Sequence, residues 1–67
     1  MSEDEFYRFW RTTEGAGPAE RRVIAEFHRL TWEQQTAEAA HWVTARMQAV
    51  VEDQRQAAAE DELQNPS

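Results

Sequence analysis

A long stretch without glycine or proline, from Thr31 to Leu63, constrains this chain more than any other feature of its sequence. Because an α-helix rises about 1.5 Å per residue, a helix over the whole stretch would be roughly 45 Å long. Its start is marked by a capping box, in which the Thr31 hydroxyl accepts from a backbone N–H and the Gln34 side chain reaches back to the Thr31 N–H. The sequence therefore predicts one long helix over residues 32–60.

Apolar and small residues recur along this helix at alternating spacings of three and four, the pattern of a stripe along one helical face. The stripe contains neither Leu nor Ile, but its small residues allow a second helix to approach closely. We expect it to form the seam of a homodimer. The pattern favours an antiparallel pair, with a parallel pair as the alternative. The predicted seam consists of Ala40, Val43, Met47, Val50, Val51, Gln54 and Ala57.

The chain has 67 residues and no cysteine, so a small core must offset the conformational entropy of folding, about 1.5 kcal/mol per residue, without a disulfide. Self-association is the remaining way to cover the long helix. We predict an all-α fold, a helical hairpin or bundle completed by homodimerisation. It forms a single domain over residues 1–63, with helices at about 3–12, 18–30 and 32–60 and a disordered tail at 64–67.

The first predicted helix begins at a second capping box, Ser2 to Glu5, whose acidic residues suit the positive end of the helix dipole. Its aromatic residues are unusually dense. They form either a lid on the other helices or a surface that docks on a partner. Three of them share one face, with Tyr7 at its edge: Phe6, Phe9 and Trp10.

A glycine pair separates the first two helices. Gly15 can end the first helix in the left-handed conformation. Gly17 can cap the second, with Pro18 at its first position. The pair lacks the lysine and the preceding strand of a phosphate-binding loop. The second helix meets Thr31 without a loop, and the capping box favours a kink there over one continuous rod. Its apolar face comprises Val23, Ile24, Phe27 and Leu30.

Aromatic and arginine side chains are the candidate anchors for a protein partner, because these residue types dominate binding hot spots. Trp42 lies off the predicted seam, where it is either covered by an N-terminal helix or exposed as an anchor. The predicted partner-binding residues are Phe6, Phe9, Trp10, Arg22, Arg29, Trp42 and Arg46.

No arrangement typical of an enzyme is present, and we expect no catalytic residues, cofactor or metal. The two histidines, His28 and His41, fall in different predicted helices. Glu38 lies three residues before His41, but metal bundles built on Glu-x-x-His pairs need a second pair and further carboxylates.

The formal net charge is −6, and most of it falls on the long helix and tail. Such a surface repels phosphate backbones. The sequence therefore favours a small acidic helical protein-binding module, an adaptor or inhibitor of the kind also encoded by phages and mobile elements. A structural coiled-coil element is the alternative, and a helix-turn-helix-like DNA-associated regulator is a weaker one. Without an apolar run for a membrane span or a signal peptide, we expect a cytoplasmic protein.

Overall fold

The computed structural model describes residues 2–64, and the side chains of residues 2–62. This part of the chain is all-α and contains no strand, as predicted. Residues 65–67, most of the predicted tail, lie outside the described residues, whereas Gln64 belongs to the last helix. The four helices are α1 (Glu3–Arg11), α2 (Pro18–His28), α3 (Trp32–Ala37) and α4 (Ala39–Gln64).

Helix α1 begins at the predicted capping box. The Glu5 N–H donates to the Ser2 hydroxyl at 3.2 Å, and the Ser2 N–H donates to the Glu5 carboxylate at 3.4 Å. The helix ends at Arg11, and Thr12 is already extended. Gly15 does adopt a left-handed conformation, with φ of 76°. However, it lies in the following turn and does not cap α1, so the predicted role of this glycine as the helix cap is wrong.

Helix α2 begins after Gly17, with Pro18 at its first position, as predicted. Gly17 has no side chain to cap the helix, and α4 supplies the missing acceptor. The Asp53 carboxylate accepts from the N–H groups of Ala19 and Glu20, both at 3.0 Å. A Cβ atom at Gly17 would overlap the Asp53 carboxyl group. The absence of a side chain at Gly17 therefore lets α4 approach the start of α2.

The stretch predicted as one helix over residues 32–60 is divided at Glu38, whose φ of −108° and ψ of 16° end α3 before α4 begins. The Thr36 hydroxyl donates to backbone carbonyls one turn back, at 3.0 and 3.1 Å, and such bonds bend helices. The Gln35 side chain also donates to the Phe27 carbonyl at 3.0 Å, which holds α3 at the end of α2. Both contacts are made by side chains of α3, just before the division at Glu38.

The chain does bend at Thr31, which is extended and carries the predicted capping box. The core lies between α1, α2 and the first half of α4. At its centre, the Trp10 ring stacks on Phe27 with centroids 3.7 Å apart, and Phe27 meets Trp42 edge-on at 6.1 Å. Ile24 is buried with them. Phe6, Phe9, Val23, Leu30, Trp42 and Val43 pack around this centre.

The second half of α4 extends away from this core. Every residue from Gln54 to Glu62 is exposed, and the molecule measures 50 × 18 × 17 Å. Since the start of α2 meets Asp53 and Phe27 meets Trp42, α2 runs opposite to α4 along its first half. The protein is a small aromatic core with a projecting helix.

Candidate protein-interaction surfaces

Arg46, predicted to bind a partner, lies inside the fold with 8% of its surface exposed. Its Nε donates to the Glu20 carboxylate at 2.8 Å, and its Nη atoms donate to the backbone carbonyls of Phe9 and Thr12. The guanidinium also lies 4.4 Å from the centre of the Phe9 ring. Arg46 therefore joins α1 and α2 to α4, and this burial does not fit a role in partner binding.

The end of α1 receives a second donor from α2. The His28 Nε2 lies 2.9 Å from the Trp10 carbonyl oxygen and donates to it, since a carbonyl can only accept. Trp10 itself is 1% exposed, so this predicted anchor is also inaccessible to a partner. Arg46 and His28 together satisfy three backbone carbonyls at the negative end of the α1 dipole, where donors and cations are favourable.

The other predicted anchors are divided between two environments. Phe6, Phe9 and Trp42 are half-buried around the core. Arg22 of α2 and Arg29, the residue that caps the end of α2, are both exposed. They are seven residues apart, about two helical turns. The structure does not bring the seven predicted anchors together into one surface.

A different group of aromatic residues is accessible. Tyr7 of α1 and Trp32 of α3 remain 41% and 47% exposed. Their rings stack, with centroids 5.6 Å apart and planes at 16°. Phe6 meets Trp32 edge-on at 6.0 Å. The Arg11 guanidinium lies 5.6 Å from the Tyr7 ring centre. We call Phe6, Tyr7 and Trp32 the aromatic surface patch.

Both halves of the Tyr7–Trp32 stack are held by local structure. Trp32 is the first residue of α3, immediately after the capping box at Thr31, and Tyr7 lies in the middle of α1. A groove of about 540 Å³ runs beside the patch between α1 and the α3–α4 junction. The sequence pattern placed Tyr7 at the edge of an apolar face, and Trp32 was not among the predicted partner-binding residues. The usable signal was its position directly after the helix cap, where a side chain has few intrahelical neighbours. The groove is lined by Ser2, Glu3, Phe6, Trp32, Thr36 and Ala39.

The residues of the predicted dimer seam differ in how far they are exposed. Val43 packs against the core, and Val50 is half-buried beside the glycine turn. Met47 and Val51, by contrast, are 63% and 48% exposed. The remaining predicted seam residues, Ala40, Gln54 and Ala57, are also exposed.

Two faces of α4 can therefore be defined. The inner face points to the other helices, and it consists of Trp42, Val43, Arg46, Ala49, Val50 and Asp53. The outer stripe is exposed along its whole length, and it consists of Ala40, Thr44, Met47, Val51, Gln54 and Ala58.

No protein family, curated protein or solved structure matches the chain. Within residues 2–64, no helix combines the length and apolar character needed to cross a membrane. In the same part of the chain, His, Cys, Asp and Glu side chains form no group of three or more that could hold a metal ion. The aromatic surface patch and the outer stripe are the two exposed apolar surfaces of the described residues that a partner could contact.

Proposed function

We propose that this protein is a small, non-catalytic binding module that acts as an adaptor or inhibitor of a larger protein. The observation that carries the proposal is the half-exposed Tyr7–Trp32 stack, with rings 5.6 Å apart. Tyrosine and tryptophan dominate binding hot spots. Because the rings already hold each other, a partner that covers them loses little side-chain entropy.

The size of the aromatic surface patch suits a hot spot. An aromatic side chain buries roughly 150–250 Å² when fully covered, so the exposed parts of Tyr7 and Trp32 offer on the order of 150 Å² of apolar surface. The acidic first turn of α1 lies beside them, with Glu3, Asp4 and Glu5 exposed. The Arg11 guanidinium lies against the Tyr7 ring of the same patch. The partner surface that fits this arrangement is an apolar pocket with a basic residue facing the first turn of α1 and an acidic residue facing Arg11.

Self-association through α4 is the second part of the proposal, since it would complete the bundle that one chain leaves open. The exposed Met47 and Val51 support it. The same observation favours an alternative function, in which oligomerisation is the only task of the protein and the aromatic surface patch merely closes the core. The two functions differ in whether a separate partner depends on Trp32.

Site-specific photo-crosslinking in cells of the native host tests the binding function. A photo-reactive residue at position 7 is expected to capture one defined protein, identified by mass spectrometry. The same residue at the exposed Gln56 of α4 is the matched control and is expected not to capture it. Trp32→Ala is expected to weaken the purified complex about 30-fold or more, the loss typical of a hot spot.

Circular dichroism of Trp32→Ala separates lost binding from lost folding, because a variant with unchanged helix content has lost only its anchor. Capture of the same proteins from positions 7 and 56 would contradict the binding function. So would a folded Trp32→Ala variant that binds the captured protein as tightly as the original chain.

A further inference from the structure

The outer stripe of α4 has the spacing of a helix–helix interface. Its six residues follow one another at intervals of four, three, four, three and four, which is the heptad pattern that keeps one seam facing a partner helix. From Ala40 to Ala58 the stripe is about 27 Å long. Every one of its residues is exposed, so no other helix of the chain obstructs it.

The accessible surface of the chain is larger than that of a compact protein of the same mass. It amounts to 5435 Å² for a mass of 7.8 kDa, whereas a compact monomer of this mass exposes about 4,400 Å². The excess, roughly 1,000 Å², is comparable with the area of about 800 Å² that each partner contributes to a stable interface. A second chain of the same kind is large enough to cover it.

We propose that a second copy of this chain lies antiparallel on the outer stripe. The proposal rests on the self-association included in the proposed function, and it adds the residues, the register and the direction. Met47 lies opposite Val51 of the second copy, and Val51 opposite its Met47. This register places the two largest apolar residues of the stripe against each other at the centre of the interface.

The same register matches the other residues of the stripe by chemistry. Thr44 lies opposite Gln54 of the second copy, where a hydroxyl and an amide can form a hydrogen bond. Ala40 lies opposite Ala58, and two small residues let the helix ends approach closely. In this register each residue of the stripe lies opposite a residue of similar character, and no polar residue of the stripe lies opposite an apolar one.

Charge decides the direction. The end of α4 carries Glu60, Asp61 and Glu62, without a basic residue in the last turn. A parallel pair would place the two acidic ends side by side, at the helix separation of about 8–10 Å. In the antiparallel pair they are roughly 36 Å apart, which exceeds the screening length of about 8 Å at physiological salt. Repulsion between the acidic ends therefore selects the antiparallel arrangement.

Cysteine crosslinking tests the direction, because the chain has no cysteine of its own. In the antiparallel register, two copies of Ala58→Cys hold their thiols about 27 Å apart, too far for a disulfide. A mixture of Ala40→Cys and Ala58→Cys brings unlike thiols together. Under mild oxidation, the mixture is expected to form a disulfide-linked dimer, and each variant alone is not. A disulfide between two Ala58→Cys chains would overturn the antiparallel direction.

Sedimentation equilibrium of the full chain tests the stripe itself. Val51→Asp is expected to weaken dimerisation about 100-fold, because it places a carboxylate in an apolar interface. The control Gln56→Asp, which adds the same charge away from the stripe, is expected to change it less than about threefold. A dimer that Val51→Asp does not weaken would place the interface elsewhere and overturn the proposal.

A chain that remains monomeric at 0.1 mM would overturn both this inference and the proposed self-association. The stripe would then be available only to a partner other than a second copy of the chain. It would not affect the binding function at the aromatic surface patch. Conversely, failure of the crosslinking experiment at position 7 would leave the dimer intact. The two proposals therefore fail independently.

Discussion

The two faces of α4 reverse the usual distribution of polar and apolar side chains. On the inner face, Arg46 is buried and Asp53 is half-buried, and both bind other helices. On the outer stripe, the apolar Met47 and Val51 are largely exposed. A single helix therefore uses charged residues to hold its own fold together and leaves apolar residues available for contact with other molecules.

The difference shows what holds this small fold together. The last carbonyls of a helix and its first N–H groups have no partners within the helix. Arg46 satisfies carbonyls at the end of α1, and Asp53 satisfies N–H groups at the start of α2. Each charge also opposes the sign of the helix dipole that it meets. The inner face of α4 thus caps its neighbours as well as packing against them.

Removing the inner-face arginine is expected to have the largest effect. Arg46→Met keeps the length of the side chain but leaves the Glu20 carboxylate and two carbonyls without their donor, so we expect a loss of about 3–5 kcal/mol of unfolding free energy. Arg55→Met, at an exposed position of the same helix, is expected to cost less than about 0.5 kcal/mol.

Urea denaturation followed by circular dichroism measures both arginine variants. A chain this small has little stability in reserve. Loss of the helical signal of Arg46→Met in the absence of urea therefore also agrees with the expectation. Equal stabilities of the two variants would show that the inner face does not hold the helices together.

The contact between Asp53 and the start of α2 is expected to produce a smaller effect. Gly17→Ala places a methyl group against the Asp53 carboxyl group, and we expect a loss of about 1–3 kcal/mol from this overpacking. In an Asp53→Ala background the same substitution is expected to cost less, because the carboxyl group that it meets is gone. Thermal denaturation of the original chain, the two single variants and the double variant gives the coupling energy between Gly17 and Asp53. Additive effects would contradict the contact.

Substituting glutamine on each face of α4 compares the two faces directly. The outer-stripe substitution is expected to have the smallest effect on the unfolding free energy. Met47→Gln is expected to change the unfolding free energy of the monomer by less than about 0.5 kcal/mol. Ala49→Gln puts a larger polar side chain into the buried inner face and is expected to cost about 1–3 kcal/mol. The measurement is urea denaturation at low protein concentration. A larger loss from Met47→Gln would contradict the assignment of the faces.

Local sequence was sufficient to predict the starts of α1, α2 and α3. Ser2 and Thr31 form capping boxes with residues three positions later, and Gly17 with Pro18 begins α2 as predicted. Such signals depend only on neighbours within one turn, so they can be read without knowledge of the fold. No comparable local signal marks the start of α4 at Ala39, and the break at Glu38 was not predicted.

The assignment of the α4 faces required the tertiary structure. Apolar residues occur around most of the circumference of this helix, and most of them are small. Spacing alone therefore selected a seam that includes both the half-buried Val43 and the exposed Met47. The burial of Arg46 depends on where the end of α1 arrives, a position many residues away in the chain. Helix content and the starts of α1, α2 and α3 follow from local physics, whereas the inner and outer faces of α4 follow from which helix ends need partners.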